Sequence, residues 1–393
     1  MEQKGTKQDI KTSLKARRDF LRKKITDSKV NLSHSCQVFL KSVCFFSISS
    51  AELMAKRVRY VFISFLSVLL LCTSSFAQAQ FSFVVTSDQR QYAGPGAYDS
   101  TNYFRGAVEA AENQGSGAFM ISIGDIDPPM DSKWTIGQVL GVNYLWYPVV
   151  GNHELPEAGS EAYDGANMEW LRAYNYDNNG VGTPPDIVNT GPSGCPETTY
   201  SFDYENAHFV VVNEYCNTGG DDLTDGDIPD HLYQWLANDL AATDKTHTFI
   251  FGHEPAYPQP DADNGRARHM GDSLNKFPAN RDRFWELLKE AGVVAYFCGH
   301  THNYSAVKID GIWQLDSGHS RGQGDTEAPS TFLMVQVDGS TVTLSTYRDT
   351  HNGIYDYTDI IHCGTLKNSN SSETGSFQDG GGGRGSFVVT AVY

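Results

Sequence analysis

Past residue 79 the chain is short of positive charge. Of its 30 basic and 47 acidic residues, 14 and 5 fall in the first 79, which leaves 16 against 42 and a net charge of about −26. A field of that sign repels polyanions and argues against a nucleic-acid-binding surface. An anionic substrate would need a local source of positive charge, for which a metal ion is the obvious candidate. Long apolar runs are also missing. The most apolar stretch, residues 60–71, is short for a bilayer span, so no stable membrane span is expected in the mature chain. Cysteine is sparse at seven residues, and no internal repeat is visible.

The short apolar stretch follows Met54-Ala55-Lys56-Arg57-Val58-Arg59 and precedes Ala77-Gln78-Ala79. A charged opening, an apolar centre and a small-x-small end make a secretory signal peptide, with cleavage expected before Gln80. Residues 54–79 are therefore read as the signal and residues 1–53 as an upstream extension outside the mature protein, which would be secreted or periplasmic. A membrane anchor with a basic cytoplasmic arm is the competing reading. Cys36, Cys44 and Cys72 precede the cleavage point. In an exported chain the remaining four can form disulfides. Cys195 and Cys216 flank two strand-like runs, so a bridge near a hairpin is expected there. Cys298 reads as a buried thiol and Cys363 as free.

From Gln80 onward, short apolar runs alternate with helical stretches. Strands are expected over 81–86, 118–123, 146–150, 199–204, 208–213, 248–251 and 293–297, and a helix over 103–113. Leu232, Trp235, Leu236 and Leu240 mark one helical face, and Phe284, Leu287 and Leu288 another. Later runs at 311–315, 331–337 and 341–347 have no helix between them and suggest antiparallel strands. This order predicts a layered α/β sandwich over residues 80–362. Residues 363–393, rich in Gly, Ser and Asn, read as a tail, with Phe387-Val388-Val389 a docking strand or the start of something further.

Polar residues gather where the strands stop. The ends read Thr86-Ser87-Asp88-Gln89-Arg90, Gly124-Asp125-Ile126-Asp127, Gly151-Asn152-His153-Glu154, Gly252-His253-Glu254 and Gly299-His300-Thr301-His302-Asn303. If the five strands are parallel neighbours, their carboxylates, amide and imidazoles enter one crevice and outline a dinuclear metal site. Mixed oxygen and nitrogen donors suit Mn, Fe or Zn, whereas Ca would want more oxygens. One carboxylate shared by two cations would hold them ~3.5–4 Å apart, close enough to clamp a phosphate.

This set resembles the calcineurin-like metallophosphoesterase superfamily, whose pattern is Asp-x-His, Gly-Asp, Gly-Asn-His-Asp/Glu, Gly-His and Gly-His-x-His. The resemblance runs from Asp88 to His302. It implies a four-layer α/β/β/α sandwich of two mixed sheets. It further implies that Asp88 and His302 ligate one metal, that Asp125 bridges, and that Asn152, His253 and His300 ligate the other. His153 would act on the leaving oxygen, with Glu154 holding its ring. The function implied is exported hydrolysis of a phosphate mono- or diester of a small phosphorylated substrate by a metal-bound hydroxide, with two divalent or trivalent ions as cofactors.

One position departs from the pattern. Arg90 stands where the family has its first-motif histidine, and a guanidinium cannot ligate a cation. The first site would be weaker, completed by water, or completed by Gln89 or Tyr92. Arg90 could instead bind the substrate phosphate, for which its planar fork is suited, or be an ordinary salt-bridged arginine. Purple acid phosphatases also lack that histidine but place a tyrosine three residues after the Gly-Asp aspartate; Pro128 stands there, so that subfamily is not assigned. The departure motivates an alternative, a single-metal phosphate-binding module of the same fold. Asp127 reads as a turn cap or an outer support of the site, and His319 as either pocket-facing or buried. His208, His231, His247, His269, His351 and His362 read as surface or packing residues. Asn303-Tyr304-Ser305 fits a glycan acceptor but lies beside the candidate ligands, which argues against modification.

Overall fold

A computed structural model of the chain describes residues 80–90, 100–155, 166–177, 186–217, 220–221, 225–349, 360–367 and 377–379. The upstream extension, the signal segment, Tyr92, His351 and the run at 387–389 lie outside them.

The first strand, β1 (Gln80–Thr86), shows how the layers arise. Phe81, Phe83 and Val85 point one way into the core between two sheets, and Val84 points the other way, toward helices, as a period of two requires. β2 (Phe119–Ile123) and β3 (Leu145–Val149) run parallel to β1. Buried on both faces, they read as unbroken apolar runs. β13 (Thr331–Asp338) and β14 (Thr341–Arg348) extend this sheet antiparallel on the other side of β1. β15 (Ile360–Lys367) and β16 (Phe377–Asp379) continue it, so the tail boundary expected at 362 falls inside a paired strand.

The second sheet is centred on β6 (Ala207–Val211), β9 (His247–Phe251) and β10 (Ala295–Cys298), all parallel. β12 (Ile312–Ser317) joins β10 in parallel, and β11 (Tyr304–Ile309) pairs with β12 through a hairpin. The antiparallel expectation for the later runs therefore holds for β13 and β14 but misplaces β12, which belongs to the other sheet. Its reason is a strand that the His-x-His motif concealed: β11 returns through Asp310-Gly311, both at positive φ, the two-residue hairpin turn. β5 (Tyr200–Tyr204) and β4 (Asn189–Thr190) complete the far edge, while β7 (Cys216–Asn217) and β8 (Gly220–Asp221) form a separate ribbon.

Aromatic rings fill the space between the sheets. Phe83 stacks on Phe119 at 5.4 Å and meets Phe209 and Phe249 edge-on at 5.3 and 5.5 Å, geometries that aromatic quadrupoles favour. On the outer face of the first sheet, α1 (Phe104–Asn113), α2 (Pro129–Leu140) and α3 (Ala166–Asp177) bury Val108, Ile136, Leu171 and Tyr174 against Val84, Met120 and Trp146. α4 (Asp230–Ala242) and α5 (Pro278–Ala291) cover the second; Phe284 and Trp285 of α5 meet Tyr296 edge-on. The result is the expected four-layer α/β/β/α sandwich of two mixed sheets.

Candidate metal centre

The five polar strand ends are not five neighbours of one sheet. β1, β2 and β3 come from the first sheet, β9 and β10 from the second, and their carboxyl ends meet along one edge of the sandwich. Asp88 hydrogen-bonds the backbone of His300 at 2.9 Å, and Asp125 accepts from the backbone of His153 at 3.1 Å. His253 Nε2 lies 3.4 Å from Asp125 Oδ1, and His302 Nε2 lies 3.2 Å from Asp88 Oδ1. Donor atoms of Asp88, Asp125 and His302, all buried, lie within 4.8 Å of one another.

The backbone is shaped to this end. Of eight non-glycine residues with positive φ among the described residues, five are Asp88, Asp125, His269, His300 and His302. A left-handed turn directly after a strand swings its side chain across the strand end, and backbone strain of this kind clusters at functional sites. The glycines that precede the polar residues answer to space more than to φ. A Cβ on Gly299 would stand 2.5 Å from Asp88 Oδ2 and 2.9 Å from Ser87 Cβ, and one on Gly124 or Gly151 would run into His253 or Asp125. Of these three, Gly124 alone has positive φ.

Glu154 does not hold the ring of His153. Its carboxylate accepts from the backbone amides of Asp125, Ile126 and Gly151 at 2.9, 2.8 and 2.7 Å, tying the ends of β2 and β3 together. Glu214 does the same in the other sheet, accepting from the amides of His253 and Glu254 at 3.0 and 2.6 Å, with the Tyr296 hydroxyl 2.5 Å from its other oxygen. Burial, reinforced by the charge of Glu254, raises Glu214 to about 8.

The ring nitrogens are oriented by acceptors behind them. Carbonyl oxygens can only accept. His253 Nδ1 must therefore donate to Ile123 O at 2.8 Å, so Nε2 is the nitrogen turned toward Asp125. His300 reverses the arrangement: Nε2 donates to Asp272 O at 2.7 Å, and Nδ1 faces Asn152 Oδ1 at 3.3 Å. Partners of this kind fix the tautomer of metal-binding histidines. Asp88 Oδ1 and His253 Nε2 are buried without a hydrogen bond, as donors reserved for a cation would be. The set of donors fits a borderline transition metal.

The charges agree. Burial alone would raise Asp88 and Asp125, yet His302 and His253 hold both below the usual carboxylate range. Burial would lower His253, but Asp125 and Asp88 bring it to about 9. His300 is driven down to about 3 by burial and by His253 and His269.

Arg90 lies on the flank of the centre. Its Nη1 donates to His153 Nε2 at 2.7 Å, and its Nε is 3.3 Å from Asp127 Oδ1. Burial lowers His153 and raises Asp127 to about 7, the latter against the pull of Arg90. Gln89 is buried with its amide 3.3 Å from Ser132 Oγ. His319 is buried, 6.0 Å from the His302 ring, and hydrogen-bonds Ala328 O at 2.9 Å. Asn303 is wholly buried, which closes the glycan site.

Comparison with known proteins accords with this arrangement. The family model for calcineurin-like phosphoesterases matches residues 81–304. The chain belongs to the calcineurin-like phosphoesterase family. Among curated relatives of this chain is purple acid phosphatase 22 of Arabidopsis thaliana, 26% identical over 195 residues, which are 48% of this chain and 37% of the relative. The chain thus spans well under two thirds of that relative's length, and Pro128 still stands where that subfamily carries its tyrosine. Solved structures similar to it include GAP50, the anchor in the inner membrane complex of Plasmodium (TM-score 0.47, 13% identity, 75% of this chain and 91% of that one) and PhoD (TM-score 0.49, 13% identity, 73% and 69%).

Several residues at the centre carry no motif. His269, read from sequence as surface or packing, lies with its ring centre 4.4 Å from that of His300 and tilted to it, and Arg268 and Arg321 both hydrogen-bond His302. Arg266 and Arg268 are close cations in an acidic chain, a signal that could have marked their loop. Nothing in the sequence marks Arg321 or Asp325.

Proposed function

We propose that this chain is an exported phosphoesterase that hydrolyses a phosphate mono- or diester of a small molecule. In this reading Asp88 and His302 would hold one metal ion and Asn152, His253 and His300 a second, with Asp125 shared between them, each Mn, Fe or Zn. The observation that carries it is the buried Asp88, Asp125 and His302 donor set, backed by two histidines already in ligand-ready tautomers. Ions bound there would neutralise the phosphate oxygens and make water acidic enough to act as nucleophile at neutral pH.

The chain's own groups do the rest. Arg90 offers a planar fork to a phosphate oxygen, and Asp127 holds that guanidinium in place. His153 Nε2, which accepts from Arg90 and lies 3.7 Å from Asp125, would take up a proton and pass it to the departing oxygen once Arg90 turns to the phosphate. Burial of the centre strengthens each of these interactions by excluding water. A general acid of this kind contributes roughly 10²–10⁴ in rate. His153→Ala should therefore depress turnover of an alkyl phosphate, whose departing alkoxide needs a proton, by about that factor with metal content unchanged. Unchanged turnover would remove His153 from the mechanism.

Arg90 supports a second reading, a single-metal phosphate-binding module. About one ion per chain with negligible turnover of both p-nitrophenyl phosphate and its bis ester would favour it. Export is supported by the signal-like segment over 54–79 and by the Cys195–Cys216 disulfide, a bond of oxidising compartments. The secreted protein should begin at Gln80 on N-terminal sequencing; a mature chain that retains residues 54–79 would contradict export by cleavage. The acidic charge balance argues against a nucleic-acid partner; among the described residues no helix is long and apolar enough to cross a membrane.

A further inference from the structure

We infer that Asp325 is a positioning residue of the metal centre, holding His302 in the tautomer that ligates through Nε2. This rests on the metal-dependent reading above. Asp325 lies beyond the family match, which ends at 304, in the connection between β12 and β13. Its Oδ2 is 2.8 Å from His302 Nδ1, while the opposite ring nitrogen faces Asp88 at 3.2 Å.

The carboxylate is itself held. Arg266 grips it with a fork, Nη1 at 3.2 and 3.1 Å from the two oxygens and Nη2 at 3.1 Å, and the Glu327 amide adds a bond at 3.0 Å. The connection is stitched to the Asp88 strand end: Ser320 N donates to Ser87 O at 2.8 Å, and Ser87 Oγ donates to Gly318 O at 2.6 Å. The loop that carries Asp325 is therefore fixed to the strand end that carries Asp88.

What makes Asp325 decisive is competition at one nitrogen. Arg268 Nη1 and Arg321 Nη2 also reach His302 Nδ1, and Arg321 Nη2 lies 2.6 Å from Nε2. A neutral imidazole carries one N–H. If a guanidinium donates to Nδ1, the proton must sit on Nε2 and the lone pair facing Asp88 is gone. A carboxylate can only accept, so Asp325 draws the proton to Nδ1 and leaves on Nε2 a lone pair that a cation would take in place of Arg321 Nη2. Of these three neighbours Arg321 reaches both nitrogens and Arg268 asks for the tautomer opposite to that of Asp325, and the anchored carboxylate selects the metal-binding one.

The test uses the full chain with Asp325→Asn, Asp325→Ala and Asp325→Ala/Arg268→Ala. Side-chain ¹⁵N spectra of the metal-stripped protein, with His302 assigned through His302→Gln, should show Nδ1–H in the wild type and a shift toward Nε2–H in Asp325→Ala. Titration with Zn against a competing chelator should show two ions bound by the wild type, and one retained with the other weakened about 10–100-fold in Asp325→Ala. Removing Arg268 as well should recover part of that loss, which a purely structural role for Asp325 would not produce. Asparagine keeps the shape and can still accept, so its loss should be smaller; it carries the test if the alanine variant does not fold. Unchanged tautomer and unchanged Zn affinity in the variants that fold would overturn the inference while leaving the metal reading intact. A wild type that binds no Zn, Mn or Fe would overturn both.

Discussion

His208 shows how far a residue type can be misjudged from its neighbours in sequence. It reads as surface or packing, yet its two ring nitrogens lie 2.7 Å from Asp203 and 2.9 Å from Asp239, well away from the strand ends that form the metal centre. Two acceptors demand two N–H groups, so this ring is an imidazolium. Burial lowers its pKa, but the two carboxylates more than offset this and the net shift is upward. A folded-state pKa above the ordinary 6.5 means stabilisation that is complete below about pH 6.5 and is lost as pH rises through the folded value. Urea unfolding should give a gap between wild type and His208→Ala of about 2–3 kcal/mol at pH 6, narrowing toward pH 9. A gap that stays level or widens would contradict the assignment. The motif residues were legible because each follows a strand and each is a ligand type. Arg268, Arg321 and Asp325 were not, because loops bring them together and no spacing in sequence records that.

At the scale of elements, the positions of most strands follow from short apolar runs, while their partners do not. Both sheets present the same apolar pattern between them, so nothing in β12 says that it joins β10 and not β13. Hydrogen-bond pairing is chosen by crossovers and by the β11 hairpin, and these depend on turns that the polar motifs mask. The Cys195–Cys216 bridge was legible, since it flanks the β5–β6 hairpin with a separation of 21 residues. Closing a loop of that size limits the unfolded chain, worth about 3 kcal/mol. Cys195→Ala/Cys216→Ala should lower the urea midpoint and raise the m-value as the unfolded chain expands. An equal midpoint would show that the β4–β6 edge is held by packing alone.

For the whole molecule, two sheets packed through an aromatic core give a rigid edge on which five strand ends converge, and the acidic surface makes that edge the place where positive charge is needed. Asp125 and its neighbours are buried at the meeting of the two sheets, so a metal there would tie the halves of the sandwich together and serve the chemistry at once. The sandwich was legible from the alternation of strands and helices, whereas the meeting of two sheets at one centre required the topology. The family relationship places the chain among phosphoesterases; the chemistry of this particular centre rests on its ligands. Chelator-stripped protein, reloaded in turn with Mn, Fe and Zn and assayed with p-nitrophenyl phosphate and its bis ester, measures that directly. The account predicts that turnover disappears on stripping and returns as two ions per chain are bound. Turnover that survives stripping, or full metal loading with no hydrolysis of either ester, would contradict it.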